Sequence, residues 1–314
     1  MNFKVSVIIP AFNAGTFIHK AVSSALEQPQ VREVLVIDDG STDQTKEVLQ
    51  SIKNKKLRVL THENGVNKGR SCSRNLGLKK ATSDYIAFLD ADDYYLPHRF
   101  DKDELIFKNN KCDGVYNAIG SHFYRKGSKE EHVALKLNTL SRTFDPNDLA
   151  IALVKGHYGY FSIIGFTVKK YLIDEVGYFN PSLKVAEDTE FLWKLAFIGK
   201  LVPGNLEQAV ANRGVHNSNS FNNHQMYEQF DLKLFESMYF WSLSQKFSLS
   251  VSELFLQRIM IIEYKKQYRL GYYFKLWVQL LTVKSRVLFS YLAFKYFPLN
   301  YKWKSIKTKL NLPI

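Results

Sequence analysis

Three carboxylates stand within four positions of the chain, at Asp90, Asp92 and Asp93. They follow residues 85–89, an apolar run without polar alternation, which predicts a strand covered on both faces, as in a parallel sheet. Carboxylates this close repel one another unless a positive charge lies among them, and a divalent cation shared with a phosphorylated substrate would supply it. The motif therefore indicates a metal and phosphate site, and the alternative is a solvated acidic turn.

Two further polar segments follow predicted strands. Residues 10–13 read Pro-Ala-Phe-Asn after the apolar residues 5–9, and residues 38–43 read Asp-Asp-Gly-Ser-Thr-Asp after residues 33–37. Ligands of open α/β sheets bind outside the carboxyl ends of the strands, so we expect all three polar segments to meet in one crevice. The alternative for the Asp-Asp-Gly sequence is a simple turn, although a parallel arrangement of strands argues against a hairpin there.

A basic loop that contains glycine precedes a predicted helix. Residues 63–69 read Glu-Asn-Gly-Val-Asn-Lys-Gly, and Arg70 and Arg74 follow. Glycines let the backbone approach a phosphate, and Lys68, Arg70 and Arg74 would offer cationic partners at a helix start; ordinary solvated surface is the alternative. Neither G-x-G-x-x-G nor G-x-x-x-x-G-K-[ST] occurs, so neither a dinucleotide-binding fold nor a P-loop is indicated.

An acid pair and a histidine are further candidates. Glu187 and Asp188 open a predicted helix, and His216 lies in the polar residues 213–220. The helix dipole alone stabilises acids at a helix N-terminus, by about 0.3 to 1 kcal/mol, so a structural role is the alternative to a catalytic one. A single histidine in a polar loop is as consistent with simple exposure as with contact to a metal or a diphosphate.

The elements that position these residues alternate between strand and helix. This rhythm predicts an α/β fold with a doubly wound, mostly parallel sheet. The spacing from Ser41 to Gln44 is that of a capping box and predicts where the second helix begins. Farther along, the polar residues 126–132 predict a mobile surface loop. The predicted strands are residues 5–9, 33–37, 58–60, 85–89, 113–117, 121–125 and 163–168, and the predicted helices include residues 16–26 and 70–80.

Composition places limits on the class of protein. The 314 residues, 46% of them hydrophobic, suffice for one catalytic domain with a smaller appendage. The apolar run that ends at Pro10 is too short for a signal peptide. With only Cys72 and Cys112, the chain supports neither a disulfide framework nor a cysteine-ligated zinc site. A reduced, cytosolic compartment is therefore expected.

The net charge of +13 is concentrated in residues 264–314, which contain eleven Lys and Arg and no Asp or Glu, so that the rest of the chain carries only +2. This region is rich in aromatic residues, and its charges interrupt every apolar run before it reaches the ~18 residues of a membrane span. Trp303, Ile306 and Leu310 share one helical face. Three explanations stay open: contact with an anionic membrane surface, packing or oligomerisation, and binding of nucleic acid, for which no recognised module is present.

Taken in order, the motifs resemble those of the inverting family 2 glycosyltransferases, which have the GT-A fold. The resemblance covers about residues 3–220, and as an ordered set the motifs are highly specific. The Q-x-x-R-W motif of processive members is absent after Asp188, which favours transfer of a single sugar. The motifs that carry the resemblance are Pro10-x-x-Asn13, residues 38–43, Arg74-Asn75-x-Gly77, Leu89-Asp90-Ala91-Asp92-Asp93, Glu187-Asp188 and Arg213-x-x-His216.

The resemblance implies a role for each candidate residue. Asp39 is expected to bind the uracil of a UDP-sugar, and Asp90 is expected near the ribose. Asp92 matches the metal ligand, with His216 completing the metal shell or touching the diphosphate, and Asp188 matches the general base. The full set of expected nucleotide-sugar ligands is Pro10, Asn13, Asp38, Asp39, Arg74, Asp90 and Asp92.

The implied function is an inverting, metal-dependent transfer of one sugar from a nucleotide-sugar, with Mn²⁺ or Mg²⁺ as cofactor. The implied acceptor is a glycan or lipid-linked glycan of cell-surface polysaccharide synthesis. A GT-A catalytic domain is expected in residues 1–220, with residues 1–112 binding the nucleotide-sugar and residues 113–220 binding the acceptor. A helical region, residues 221–314, is expected to contact a membrane or a second subunit. These expectations place the protein in the cytoplasm, at the inner face of the cell membrane.

Two other functions compete with glycosyl transfer. A sugar-phosphate nucleotidyltransferase shares the acid-tipped sheet, but it requires a Gly-rich loop with Arg after the first strand, where this chain has Pro10 to Asn13. A non-catalytic subunit of a membrane assembly complex would bind a nucleotide-sugar without transferring it. The intact Asp92 and Asp188 argue against that second alternative.

Overall fold

The computed structural model describes residues 3–109, 111–217, 219, 224–245, 247–266, 269–298 and 300 of the chain. The chain divides into two compact units, Met1–Asn222 and Asn223–Ile314. This division falls two residues beyond the expected end of the catalytic domain at residue 220. The assignment of donor and acceptor binding to the two halves of the first unit stays a prediction.

The first unit contains the strands and most of the sequence motifs. Its strands are β1 (Val5–Ala11), β2 (Val31–Asp38), β3 (Leu57–Thr61), β4 (Tyr85–Phe88), β5 (Tyr94–Tyr95), β6 (Gly114–Tyr116), β7 (Gly120–Phe123), β8 (Phe166–Lys169), β9 (Leu201–Pro203) and β10 (Ala211–Val215). Its helices are α1 (Ile18–Leu26), α2 (Thr45–Ser51), α3 (Arg70–Lys80), α4 (Asp101–Asn109), α5 (Lys129–Ala134), α6 (Pro146–Lys155), α7 (Lys170–Val176) and α8 (Glu187–Ile198), with 3-10 turns at Glu63–Gly65 and Ile163–Gly165.

A seven-stranded sheet in the order β3-β2-β1-β4-β8-β6-β9 forms the centre of the first unit. The pairs β1–β2, β2–β3, β1–β4 and β6–β9 are parallel, and β8 runs antiparallel to its neighbours β4 and β6. Every residue of β1 and β4 is buried, as expected for strands covered on both faces. The predicted α/β fold with a mostly parallel sheet is confirmed.

The register of this sheet brings the polar segments to one edge. Ala11 pairs with Asp38 where β1 and β2 end, whereas the pairing of β4 with β1 ends earlier, at Ile8. Pro10 of β1 cannot donate a backbone hydrogen bond. It lies past the point where β4 stops pairing with β1, so no strand on that side needs its N–H group, and proline is tolerated there. The carboxyl ends of β1, β2 and β4 therefore border the same side of the unit.

A second, three-stranded sheet has the order β5-β10-β7. β5 starts directly after the acidic motif, and β10 pairs with it antiparallel and with β7 in parallel. At Gly214 of β10, a Cβ atom would collide with the carbonyl oxygen of Asp92, so glycine is required for this close approach. The second sheet therefore holds β10, and the His216 that follows it, against the acidic motif.

Two local predictions are wrong. Helix α2 has no side-chain cap, and the hydroxyl of Ser41 accepts the backbone N–H of Asn13 at 3.0 Å instead, so a tertiary contact replaces the predicted capping box. The polar residues 126–132 are in part helical rather than a plain loop. There, Ser128 and Glu131 form a reciprocal capping box that starts α5.

The described residues of the second unit are mostly helical. Tyr239 donates its hydroxyl hydrogen to the carbonyl oxygen of Leu280 at 2.6 Å, and Tyr273 donates to that of Tyr296 at 3.0 Å. Buried tyrosines therefore join helices that are distant in sequence, as the aromatic content of this region suggests. The helices are α9 (His224–Ser244), α10 (Leu249–Lys265), α11 (Leu270–Leu281), α12 (Ser285–Leu288) and α13 (Tyr291–Lys295).

The predicted helical character of the second unit is confirmed. Across the described residues, none of the helices combines the length and the apolarity that crossing a bilayer requires. The predicted apolar face of Trp303, Ile306 and Leu310 lies outside the described residues.

Candidate active site

The three carboxylates of the acidic motif lie in the loop between β4 and β5. A backbone hydrogen bond from the N–H of Asp93 to the carbonyl oxygen of Asp90, at 3.1 Å, closes this loop. Asp93 is buried and accepts the backbone N–H of Gly214 at 2.8 Å. The side chains of Asp90 and Asp92 are 30% and 29% exposed. The motif therefore presents two carboxylates to the crevice and uses the third to hold β10.

Asp92 and His216 are in direct contact. Nε2 of His216 lies 2.8 Å from Oδ2 of Asp92, and the amide of Asn219 donates to the same oxygen at 3.2 Å. The imidazole ring stacks on Phe17, with ring centroids 4.9 Å apart, which fixes its orientation. The structure thus brings together the two residues that the sequence predicts as metal ligands, although they are 124 positions apart.

This end of the crevice carries excess negative charge. Burial and the charge of Asp90 raise the pKa of Asp92. Burial and the charges of Asp92 and Asp90 raise the pKa of Asp93 well above its usual range. A bound cation relieves such repulsion. The repulsion between these carboxylates therefore favours the binding of a cation in the crevice.

The donor atoms at this end fit a divalent cation that a substrate helps to hold. Imidazole and carboxylate together suit a transition metal such as Mn²⁺, and Mg²⁺ is usually held by one or two carboxylates with substrate phosphates. Within the described part of the chain, His, Cys, Asp and Glu form no cluster of three or more that would hold a metal by itself. Asp92 and His216 therefore fit a cation whose remaining ligands come from a diphosphate.

Arg74 of α3 is buried between the acidic motif and α8. Its terminal nitrogens donate to Oδ1 of Asp90 at 2.6 Å and to Oε1 of Glu187 at 2.8 Å. Burial alone would lower the pKa of Arg74, but the charges of Asp90, Glu187 and Asp188 raise it. The structure thus places this predicted nucleotide ligand as a charged link between the acidic motif and the helix of the predicted base.

Helix α8 begins at the acid pair. Ala186 precedes it with a φ of 61°, a conformation that few residues other than glycine and asparagine adopt. Glu187 is buried and forms a second ion pair with Arg70, whose Nε lies 3.0 Å from Oε1. Asp188 is half-buried, and its Oδ1 accepts the backbone N–H of Thr189 at 2.8 Å. The second oxygen of Asp188 has no hydrogen-bond donor among the described residues, which leaves it available to an incoming hydroxyl.

Arg213 of β10 approaches the acids from another direction. It donates to the hydroxyl of Ser162 at 3.3 Å, and the hydroxyl of Tyr160 lies near enough to interact with it. Burial lowers the pKa of Arg213, but Asp93, Tyr160 and Asp188 raise it. The sequence assigns no role to this side chain, although its place in the Arg-x-x-His motif is a usable signal.

Side chains tie the ends of β1 and β2 together. Asn13, at a φ of 49°, accepts the backbone N–H of Thr42 at 2.8 Å. Asp38 is buried, and its Oδ1 accepts the backbone N–H of Ser41 at 2.9 Å. Its Oδ2 has no hydrogen bond among the described residues and lies 3.9 Å from the ammonium group of Lys46. Hydrogen bonds of Asn13 and Asp38 therefore hold together the segments that follow β1 and β2.

Asp39 holds the basic loop next to the segments that follow β1 and β2. Its two oxygens accept the backbone N–H groups of Lys68 at 2.7 Å and of Gly69 at 2.8 Å, and Nε2 of His62 lies 3.4 Å from Oδ1. A carboxylate oxygen has two lone pairs, so these bonds do not exhaust its capacity to accept a hydrogen bond from a nucleobase. The glycine-containing loop is therefore fixed beside the predicted uracil ligand.

The structure thus brings the predicted site residues together near the carboxyl ends of β1, β2 and β4, where Pro10 pairs with Ile37 within the sheet. Contacts between residues far apart in the chain add detail that the sequence does not give. Arg70 and Arg74 both pair with Glu187, and Arg213, to which the sequence assigns no role, donates to Ser162.

The sequence profile of Glycosyl transferase family 2 matches residues 6–171 of the chain. This match covers more than half of the 314 residues and includes the motifs of β1, β2 and β4. The chain belongs to glycosyltransferase family 2. The predicted membership of this family is therefore confirmed.

Parts of this chain are similar in sequence to several other glycosyltransferases. It is 39% identical over 99 residues to an uncharacterised glycosyltransferase of Haemophilus influenzae, covering 31% of this chain and 40% of the relative. It is 42% identical over 93 residues to WfaP of Escherichia coli, a UDP-Glc:alpha-D-GlcNAc-diphosphoundecaprenol beta-1,3-glucosyltransferase, covering 29% and 36%. It is 30% identical over 219 residues to a Pasteurella multocida chondroitin synthase, covering 69% and 21%. The matched segments span less than half of the length of each of these relatives.

Solved structures share the fold. The family 2 chain matches residues 1–349 of Staphylococcus aureus TarS in complex with UDP, with a TM-score of 0.65 at 20% identity, covering 98% of this chain and 92% of that one. It also matches the mannosyltransferase PcManGT of Pyrobaculum calidifontis in complex with GDP-Man and Mn²⁺, with a TM-score of 0.54 at 17% identity, covering 82% and 69%. These similarities confirm the predicted GT-A fold.

Proposed function

We propose that the chain is an inverting glycosyltransferase that moves one sugar from a UDP-sugar to a glycan or lipid-linked glycan. The observation that carries this proposal is the link that Arg74 forms between the acidic motif and the first turn of α8, which holds Asp188. A cation site and a base are thereby fixed in one crevice. Membership of family 2 supports transferase chemistry, and the activity named for WfaP supports a UDP-sugar and a lipid-linked acceptor.

The mechanism follows from the position of the base. In a single displacement, the acceptor hydroxyl attacks the anomeric carbon on the face opposite the nucleoside diphosphate, so the configuration inverts. The oxygen of Asp188 that accepts no hydrogen bond within the described residues takes the hydroxyl proton as general base. Arg70 and Arg74 hold Glu187, the preceding residue, and so restrict the movement of the helix start. Orientation of this kind lowers the barrier by fixing reacting groups before the reaction.

Asp92 and His216 would hold a Mn²⁺ or Mg²⁺ ion together with diphosphate oxygens. When bound, this ion supplies Lewis-acid neutralisation of the charge on the departing diphosphate. Burial raises the pKa of Asp90, but Arg74 and Arg70 hold it below its ordinary value. Asp90 is therefore ionised at neutral pH and can accept hydrogen bonds from a ribose.

Incubation of the protein with radiolabelled UDP-, GDP- and dTDP-sugars, Mn²⁺ and candidate acceptors tests this function. We expect one sugar to be transferred, with release of UDP and inversion at the anomeric carbon. Formation or consumption of pyrophosphate would instead indicate a sugar-phosphate nucleotidyltransferase. Binding of nucleotide-sugar without transfer to any acceptor would indicate a non-catalytic subunit. A nucleotidyltransferase needs a flexible Gly-rich segment after the first strand. In this chain that place holds Asn13, whose side chain is hydrogen-bonded to Thr42, which argues against that alternative.

We also propose that the second unit contacts the anionic inner face of the cell membrane. Phe289, Tyr291 and Phe294 are 75%, 74% and 67% exposed, and Arg286 and Lys295 flank them in the sequence. Rings interleaved with cations suit the headgroup boundary. We expect the protein to sediment with anionic liposomes, less so at high salt because charges are screened, and less so after Phe289→Ser with Phe294→Ser. Absence of sedimentation at low salt would favour a packing or oligomer role.

A further inference from the structure

Two arms of the chain beside Arg213 form an exposed surface of aromatic rings. Residues 139–144 and 157–162 run next to each other, and an antiparallel bridge joins Leu140 to Gly159. The second arm ends at Ser162, whose hydroxyl is bonded to Arg213, so this surface lies next to the strand that also contacts the acidic motif. We call its ring and guanidinium groups the aromatic pad, which consists of Arg142, Phe144, Tyr158 and Tyr160.

Arg142 is held in place by rings rather than by acids. Its guanidinium carbon lies 4.2 Å from the ring centroid of Tyr158 and 4.7 Å from that of Phe144. Stacking on ring faces orients the guanidinium plane without using its N–H groups. Arg142 is exposed, and no carboxylate pairs with it in the described part of the chain. An oriented and unpaired guanidinium of this kind suits bidentate binding of a phosphate or a carboxylate.

A second arginine of the first unit shows that this arrangement is not general. Arg125 forms an ion pair with Glu131 at 2.5 Å, so its charge is balanced within the protein. Arg142 has Asp145 three positions away, but the carboxylate of Asp145 caps α6 by accepting the N–H of Asn147 at 2.9 Å. The acid nearest in sequence is thus used by the helix, and the charge of Arg142 faces solvent.

Tyr160 connects the pad to the reacting groups. Its ring is 52% exposed, whereas its hydroxyl lies near the guanidinium group of Arg213 and interacts with it. Arg213 precedes Gly214, the residue that touches the backbone of Asp92 and binds the carboxylate of Asp93. An exposed ring held by its polar end offers an apolar face at a fixed position. A sugar ring has an apolar C–H face of matching size, and binding sites combine such surfaces with a few placed polar groups.

We propose that the aromatic pad binds the acceptor, with Tyr160 stacked against its sugar ring and Arg142 bound to a negatively charged group of the same molecule. The acceptor class is then an anionic glycan, in which the charge is a phosphate ester or a sugar carboxylate. This inference rests on the proposed glycosyl transfer and extends it to the identity of the acceptor. The pad itself contributes recognition and takes no part in bond making.

Titration calorimetry in the presence of UDP and Mn²⁺ tests the pad with three defined probes. The first is N-acetylglucosamine joined through a diphosphate to an octyl chain, the second is the octyl glycoside of the same sugar, and the third is octyl glucuronide. We expect the wild-type protein to bind the charged probes about tenfold to hundredfold more tightly than the neutral one. A stronger response to the first probe assigns the charge to a phosphate ester, and a stronger response to the third assigns it to an acidic sugar.

Substitutions separate the two parts of the pad. Arg142→Gln is expected to remove the preference for charged probes, whereas the matched control Arg125→Gln keeps it. Tyr160→Ala is expected to weaken the binding of all three probes about tenfold. Tyr160→Phe retains the ring and should retain most of the affinity. In each of these variants UDP is expected to bind as it does to the wild type.

Equal binding of the charged and neutral probes by the wild type would overturn the assignment of an anionic acceptor. Retention of the charge preference by Arg142→Gln, or unchanged binding by Tyr160→Ala, would overturn the pad as the site. These measurements need no turnover. Failure of the proposed function appears separately, as absence of sugar transfer by the wild type with every donor.

Discussion

Asp39 and Asp92 are carboxylates that line the same crevice, but the protein compensates them in different ways. Asp39, together with Asp38, accepts hydrogen bonds from backbone N–H groups of neighbouring loops. Asp92 stands beside Asp90 and Asp93, and burial and the charge of Asp90 raise the pKa of Asp92. At the proposed nucleotide end the carboxylate of Asp39 is thus satisfied by the protein, whereas the proposed reaction end carries charge that the protein alone does not balance.

This difference indicates what each end does. Fixed N–H donors make a rigid surface that recognises shape and hydrogen-bonding pattern, since a buried polar group without a partner costs about 1 to 3 kcal/mol. Crowded carboxylates repel one another. This repulsion favours the binding of a cation, together with a diphosphate, because the cation relieves it. Substitutions at the reaction end should therefore change turnover and metal dependence, and substitutions at the nucleotide end should change binding and stability.

The largest effect is expected from Asp188→Asn, which removes the proposed base and keeps its shape. Loss of a general base typically costs about 10²- to 10⁴-fold in rate, or about 3 to 5.5 kcal/mol. Affinity for UDP, measured by calorimetry, should stay close to that of the wild type, so that binding and turnover separate. The control is Asp148→Asn, another acid in the first turn of a helix, which should not alter transfer. A rate near that of the wild type would remove Asp188 as the base and favour Glu187.

The second effect concerns the cation. UDP is expected to bind about 10²-fold, or about 2.7 kcal/mol, more tightly with Mn²⁺ than with EDTA. Asp92→Ala should erase this difference because it removes the carboxylate that faces the diphosphate. Titration of both proteins with UDP under the two conditions measures it. Equal affinity of the wild type with Mn²⁺ and with EDTA would contradict the metal assignment.

A fully compensated carboxylate sharpens the comparison through its pH dependence. Glu33 of β2 accepts hydrogen bonds from Ser6, Thr82 and Arg58 at 2.6 to 2.7 Å. Burial would raise the pKa of Glu33, but these bonds hold it below its ordinary value of 4.5. Its contribution to stability is therefore present above pH 4.5 and is lost as the pH falls through the lower value of the folded protein.

Glu33→Gln should accordingly lower the free energy of unfolding by about 1 to 2 kcal/mol at pH 7. The gap between this variant and the wild type should shrink as the pH falls below 4.5. Urea denaturation at several pH values measures it, with the exposed Glu207→Gln as the matched control. A gap that stays constant across this pH range would show that the ionised form of Glu33 does not stabilise the fold.

The smallest effect is expected from Asn13→Ala at the nucleotide end. The substitution removes the bond to Thr42 and places alanine at a positive φ, for a cost of about 1 kcal/mol. UDP should bind a few-fold more weakly while the Mn²⁺ dependence persists. Asn54→Ala, which removes a similar bond to the backbone of Lys56 far along the chain, should leave UDP binding unchanged. Loss of the metal dependence in Asn13→Ala would mean that the two ends are not independent.

The sequence predicts the fold well because strands buried on both faces leave long apolar runs, as in β1, β2 and β4. The polar residues that end these strands predict the crevice for the same reason. The pairing of Arg74 with Glu187 is not predictable, since it joins positions 113 residues apart. The same limit explains the error at Ser41, where local spacing suggests a cap and a contact with Asn13 wins. Local patterns specify elements, and the roles of ionic side chains depend on which elements meet.

The close approach of β10 to the acidic motif has a consequence for ion selectivity. Because Gly214 fixes the strand against the backbone of Asp92, the spacing of the two predicted ligands is determined by main chain rather than by flexible side chains. Replacement of His216 by another metal-binding residue would then change the chemical type of the ligand without changing its distance from Asp92. Imidazole favours transition metals and carboxylate favours magnesium and calcium, so this one position would tune which ion the protein selects.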